Sequence, residues 1–414
     1  MAPEKSKKPV ENIDLAVTSS QPSKKAKKDK PNKSQIIMIS SGVLAGVIGL
    51  ACFAFALLHP SAAPESLTYP TIPSKTNEEA THSDLTGLPL ADAAAKNAPI
   101  YCIQVPNGTD GARPQAGLTE AGVIFEAIAE AGITRFAALF QNPKSAVIGP
   151  IRSLRLYYLE WDTPFDCTIV HAGGADDALR AVASGGYSDL TENYNYMYRG
   201  TYGNRLWNNL FTTPADLAKF SADSGKTSSN AKGFARMTPA ESEKSRIDNL
   251  VTEELNITTP TTKNTSELIP KVTNINFNFG SSPIFNVNYE YNSKENTYRR
   301  SYGIGAHEVY ACPGENLGAP NPEDTCSLTT MTPSTVVAMV VSEHRASDNY
   351  HEDITTIGSG NAYIFQNGIA IPGQWAKSSR EDQIKFTDKE GNEIKLAPGQ
   401  TIVSAIPEYG SIDY

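Results

Sequence analysis

The stretch Gly149-Pro150-Ile151-Arg152-Ser153-Leu154-Arg155 sets two guanidinium groups three residues apart at an expected helix start. That spacing puts both on neighbouring positions of one helical face, where free N–H groups and the macrodipole already attract anions. His171-Ala172-Gly173-Gly174 follows a strand signal and precedes a helix signal, a second place where backbone N–H groups can form an anion nest. Arg113, on a loop after the first strand, can reach the same edge, because ligands of open α/β sheets collect beyond the carboxyl ends of strands. Arg113, Arg152, Arg155, His171, Gly173 and Gly174 are therefore the expected ligand-binding residues, for a carboxylate or a phosphate. The competing reading consumes the arginines in structural ion pairs with Glu126, Glu130 or Asp166.

Those same carboxylates, Glu126, Glu130 and Asp166, form the alternative catalytic set, with His171 as general base. Spacing alone does not make that case, since acids on a solvated face or partners for Arg135 explain them as simply. No Gly-x-Ser-x-Gly elbow accompanies His171. His344 and His351 flank Asp348 and Asp353 in a spacing that matches no zinc or iron pattern, and Gly358-x-Gly360 reads as a turn. No metal and no cofactor are expected. Tyr194, Tyr196, Tyr198 and Tyr202, followed by Trp207, form an aromatic-rich polar stretch. Such rings stack on sugars, hold a partner protein, or cover the edge of a domain.

The elements that must position these groups are legible in part. Residues 99–105 are a short apolar run suited to a buried strand. Thr119 is expected to cap a helix running to Ala131, with Val123, Ile124, Ala127 and Ile128 on one face and Gly132 as its stop. Residues 133–140 alternate like a strand, 153–161 read as a helix, 167–171 as a strand, and 175–183 as a helix closed by Gly185-Gly186. Strands alternating with helices predict an α/β first extracellular domain over 96–220, with parallel pairs. Residues 221–268 lose that rhythm and read as a polar insertion with a short helix at Pro239–Leu255. Over 269–414, period-two runs at 274–279 and 285–289 and an apolar strand at Thr335–Val341 predict a mostly antiparallel β second domain. Asn367-Gly368 and Glu390-Gly391-Asn392 supply its hairpin chemistry.

Ahead of both domains, residues 36–58 hold 23 uncharged positions, and a bilayer core of about 30 Å needs roughly 20 helical residues. One transmembrane helix over 35–58 is expected. The preceding 34 residues carry 9 Lys against 4 acids, which retains them in the cytoplasm as a basic, unfolded tail and sends the bulk outside. Residues 59–95, rich in Pro, Ser and Thr, read as an extracellular linker. The rest of the chain has 27 basic and 41 acidic residues, a balance that argues against a nucleic-acid partner. Lipidation at Cys52 competes with the helix, but Gly49-Leu50-Ala51-Cys52 has its leucine one position late.

Thiols outside the membrane tend to be oxidised. Cys102, Cys167, Cys312 and Cys326 allow three pairings, and 102 with 167 plus 312 with 326 keeps each bond inside one domain.

Taken in order, Ala112-Arg113-Pro114-Gln115-Ala116-Gly117-Leu118, Glu130-Ala131-Gly132-Ile133-Thr134-Arg135-Phe136, Ile148-Gly149-Pro150-Ile151-Arg152-Ser153 and Val170-His171-Ala172-Gly173-Gly174 form a distinctive series. With Tyr298-Arg299-Arg300, Gly358-Ser359-Gly360, Gly373-Gln374-Trp375-Ala376-Lys377 and Leu396-Ala397-Pro398-Gly399-Gln400, the chain resembles the YerB-like family of bacterial envelope lipoproteins. The resemblance implies a two-domain ectodomain at the outer face of the cytoplasmic membrane and brings no settled activity. Family members are typically held by a lipidated Cys, whereas this sequence offers its own helix. The functional expectation is a tethered, non-catalytic protein that binds an anionic or glycan-containing envelope component, such as peptidoglycan or a wall polymer. A cell-wall hydrolase and a scaffold for another membrane protein are the alternatives.

Overall fold

The computed structural model describes residues 81–200, 207–255, 272–314 and 321–414. They lie within one compact unit, Ile72–Tyr414. The expected cytoplasmic tail, the span at 36–58 and most of the linker fall outside the described residues. Among the described residues no helix is long and apolar enough to cross a membrane.

A ten-stranded mixed sheet organises the unit. Its strands are β1 Ile100–Pro106, β2 Val123–Glu130, β3 Ile133–Gln141, β4 Thr168–His171 and β5 Ser188–Thr191, then β6 Thr335–Val341, β7 Gly358–Gln366, β8 Ile369–Lys377, β9 Lys385–Asp388 and β10 Thr401–Pro407. Their order across the sheet is β9-β8-β7-β6-β10-β2-β3-β1-β4-β5. β10 inserts in parallel between β6 and β2, so both halves of the chain build one sheet. β1, β4 and β5 also pair in parallel, as the α/β reading expected. A separate five-stranded antiparallel sheet contains Asn274–Asn278, Val287–Asn292 and Thr297–Tyr302.

The longer helices are α1 Leu156–Asp162, α2 Asp176–Ala183, α3 Pro214–Ser224 and α4 Pro239–Leu255. One core lies between the sheet and α1, where Phe125, Tyr158, Trp161 and Phe165 are buried with Trp375 and Val403. A second lies on the other face, with Ile103, Phe136 and Leu217.

Several expectations change. The helix expected from Thr119 to Ala131 is strand β2. Its side chains are buried on both faces, so the apolar run shows helical and strand periods at once. Ala131 and Gly132, both at positive φ, are the hairpin turn into β3 rather than a helix stop. The helix expected from Ser153 starts at Leu156, because Leu154 is still extended and its N–H donates to the Gly173 carbonyl. The polar insertion expected from residue 221 includes the end of α3 and buries Phe234 in the main core, while α4 falls where its pattern placed it. Gly358-x-Gly360 opens strand β7 rather than a turn.

Candidate functional site

Both expected disulfides are present, Cys102–Cys167 and Cys312–Cys326. The first joins β1 to the residue preceding β4, toward the amino end of the parallel strands. At their carboxyl edge stand Glu130, His171 and the loops that start α1 and α2.

The expected anion-binding residues reach this region, but mostly as parts of the fold. Arg155 caps α1 from a buried position, and its guanidinium bonds Glu130. Arg135 bonds the other oxygen of the same carboxylate at 2.6 Å. Burial raises the Glu130 pKa, but the two guanidinium groups outweigh it and hold this carboxyl below its ordinary range. His171 is buried, with Nε2 2.8 Å from Asp189 and Nδ1 2.6 Å from the Gly173 carbonyl. Gly173 and Gly174 form the turn into α2, whose first turn already carries Asp176 and Asp177. Arg152 is half-buried, its main chain bonded to Gln104 and Ala172, and its side chain has no ion-pair partner among the described residues. Asp166 takes Lys226 at 2.6 Å. An open cleft of about 820 Å³ lies beside Arg155, between the starts of α1 and α2 and the loop 344–357. His351 and Asp348, 2.6 Å apart, stand in its wall.

Arg113 and Glu126 belong to a second centre, a buried polar network at the seam of the two sequence halves. Arg300, at an inward position of Thr297–Tyr302, donates to both oxygens of Glu126 at 2.7 and 2.8 Å and to the hydroxyls of Tyr289 and Tyr302. Arg113 and Arg300 flank the Tyr302 ring, at 3.7 and 4.8 Å from its centre. Asn107 accepts from Arg113 and Tyr302, and Gln115 bonds His307 at 3.1 Å. Burial opposes the charge on Arg300, but Glu126 and the tyrosines overcome it and raise its pKa. His307 is pushed far below its ordinary value, by burial first and then by Arg300 and Arg113, so it is neutral. The sequence alone attaches no role to Arg300. Its parity with Tyr298 and Tyr302 was the available signal, since all three are buried.

The aromatic stretch presents the largest exposed rings near the carboxyl edge. Tyr194 and Trp207 are 64% and 72% exposed. Arg199 fixes the first of them: it donates to the Tyr194 hydroxyl at 3.0 Å, to Glu192 at 2.6 Å and to Asn209, two residues beyond Trp207, at 2.8 Å. Tyr196 instead bonds Asp223 and packs on Phe220. Tyr198 packs on Phe211, in a cluster that includes Cys312 and Cys326. The second disulfide therefore packs with Phe211 and with Tyr198, next to Arg199 in the chain. Tyr202 falls outside the described residues.

Comparison with known proteins follows the same two segments. Residues 85–228 match the N-terminal domain of a protein family of unknown function, DUF3048, and residues 275–403 match its C-terminal domain. YerB of Bacillus subtilis (strain 168), whose name includes the word lipoprotein, is 26% identical over 327 residues, which cover 78% of this chain and 86% of that protein. The crystal structure of the YerB protein from Bacillus subtilis superposes with a TM-score of 0.63 at 22% identity, covering 81% of this chain and 100% of that one. With both domains matched in order and the fold shared, the chain belongs to the YerB-like two-domain family.

Proposed function

We propose that this protein is a tethered binding protein of the bacterial envelope, held by one membrane helix at residues 36–58, whose aromatic patch recognises a glycan-containing wall component. The observation that carries this reading is two strongly exposed rings in one stretch of chain, Tyr194 and Trp207, the first held by Arg199, which also bonds Glu192 and Asn209. Flat rings take the C–H faces of sugars while fixed polar groups beside them take hydroxyls. The name of the Bacillus relative supports attachment to a membrane. The lysine-rich segment before residue 36 supports an orientation with the bulk outside. An anionic ligand has less support, because Arg155 and His171 are already engaged with Glu130 and Asp189. Hydrolysis by Glu126 or Glu130 has less support for the same reason.

Co-sedimentation with purified peptidoglycan tests the proposal. Tyr194→Ala with Trp207→Ala should weaken binding by about tenfold or more without changing the melting temperature. Binding of the double variant equal to that of the parent would overturn it.

A further inference from the structure

We infer a second carbohydrate-binding face, at the corner of the large sheet where β7, β8 and β9 lie side by side. It shares a ligand class with the aromatic patch and none of its residues.

Strand register builds it. Asn361 stands opposite Gln374, and Gln374 opposite Thr387, so two amides and a hydroxyl form one row across three strands. Asn361 and Gln374 are exposed, and among the described residues neither amide, nor the Thr387 hydroxyl, has a hydrogen-bond partner. Tyr363 and Pro372 face each other in the next row of the same face. The Tyr414 ring, 48% exposed, stands 6.0 Å from that of Tyr363. Asn361, Tyr363, Pro372, Gln374 and Thr387 wall a depression of about 540 Å³, with the turn at residues 388–391 at its end, within the range of small-ligand sites. At Gly373 the backbones of β8 and β9 approach closely, since a Cβ there would lie 2.0 Å from the Thr387 carbonyl oxygen.

The chemistry selects a neutral polyol. Each primary amide offers two donors and an acceptor, which suits adjacent hydroxyl groups. The tyrosine and proline surfaces suit the C–H face of a sugar ring. The row itself carries no charge. The charges lie in the turn at one end, Asp388, Lys389 and Glu390; of these Asp388 is satisfied by the turn itself, through the Asn392 side chain at 3.0 Å and the Asn392 N–H at 2.8 Å. A glycan long enough to occupy both faces would be held by two sites on one protein, which raises its effective affinity without new contacts.

Titration calorimetry of the full chain with chitotetraose, a soluble oligomer of N-acetylglucosamine, separates the two faces. In the Tyr194→Ala, Trp207→Ala background binding should persist, and adding Asn361→Ala with Gln374→Ala should weaken it by about tenfold or more. Both added substitutions are at exposed positions, and an unchanged circular dichroism spectrum confirms the fold. Loss of all binding in the first background would overturn this second face and leave the aromatic patch standing. Persistent binding that ignores Asn361 and Gln374 would also overturn it. A parent chain that does not bind the oligomer would count against both faces.

Discussion

The Arg300 guanidinium meets both carboxylate oxygens of Glu126, at 2.7 and 2.8 Å, and neither side chain has exposed surface. The two residues are 174 apart in sequence and belong to the two different family segments. Removing one partner leaves a buried charge without compensation. Arg300→Met should therefore cost about 3–5 kcal/mol in urea unfolding. Arg300→Met with Glu126→Leu should recover much of that loss. A single-variant cost below about 1 kcal/mol would show that water reaches the pair.

Glu343, at the start of the loop that walls the cleft, gives a pH dependence of known sign. Burial pushes its carboxyl up to about 7, with the Tyr409 hydrogen bond opposing and Glu352 adding to the rise. The folded protein therefore keeps a proton that the unfolded chain releases near 4.5. Stability from this group is present below that value and lost as pH rises through about 7. Thermal melts should decline across this window, and Glu343→Gln should flatten the decline. A parent melting temperature that rises there would contradict the assignment.

The Cys312–Cys326 bond links residues 14 apart and packs against Tyr198 and Phe211, beside the strand that carries Arg199. Cys312→Ser with Cys326→Ser should cost about 3 kcal/mol and should also weaken glycan binding, because Tyr198 and Phe211 lose part of their support. Calorimetric melting and co-sedimentation together would reveal a stability loss with binding intact, the result that separates the bond from the patch.

Gly360 is the place where backbone and indole touch. A Cβ there would come within 2.6 Å of Trp375 Nε1 and 2.7 Å of the Val340 carbonyl, and those two groups are hydrogen-bonded at 2.7 Å. Gly360→Ala should break that bond, red-shift the tryptophan emission and destabilise the fold by about 1–3 kcal/mol. An unshifted spectrum would mean the strand yields elsewhere.

The sequence made some of this visible and hid the rest for physical reasons. Thr335–Val341 and the α4 helix were readable because their pattern is local and undisturbed. The disulfide pairing followed from keeping each bond inside one segment. β2 was misread because a strand buried on both faces loses its alternation. The positive groups near the carboxyl edge and the carboxylate Glu130 were both named, but the choice between a ligand and an internal ion pair was not legible: Glu130 reaches Arg155 only after the hairpin at Ala131 and Gly132 folds β2 against β3. Arg300 was missed as a hub because its carboxylate arrives from the other half of the chain. The row of Asn361, Gln374 and Thr387 exists only once β7, β8 and β9 are in register.

Strand β10 has a consequence for how such a chain is made. Val123–Glu126 in β2 waits for Thr401–Ser404, nearly three hundred residues later, before its outer edge is covered. A ribosome emits the first family segment long before its missing neighbour exists. The nascent protein therefore carries an open, apolar β-edge through most of its synthesis, and cutting the gene between the two segments would leave that edge bare permanently.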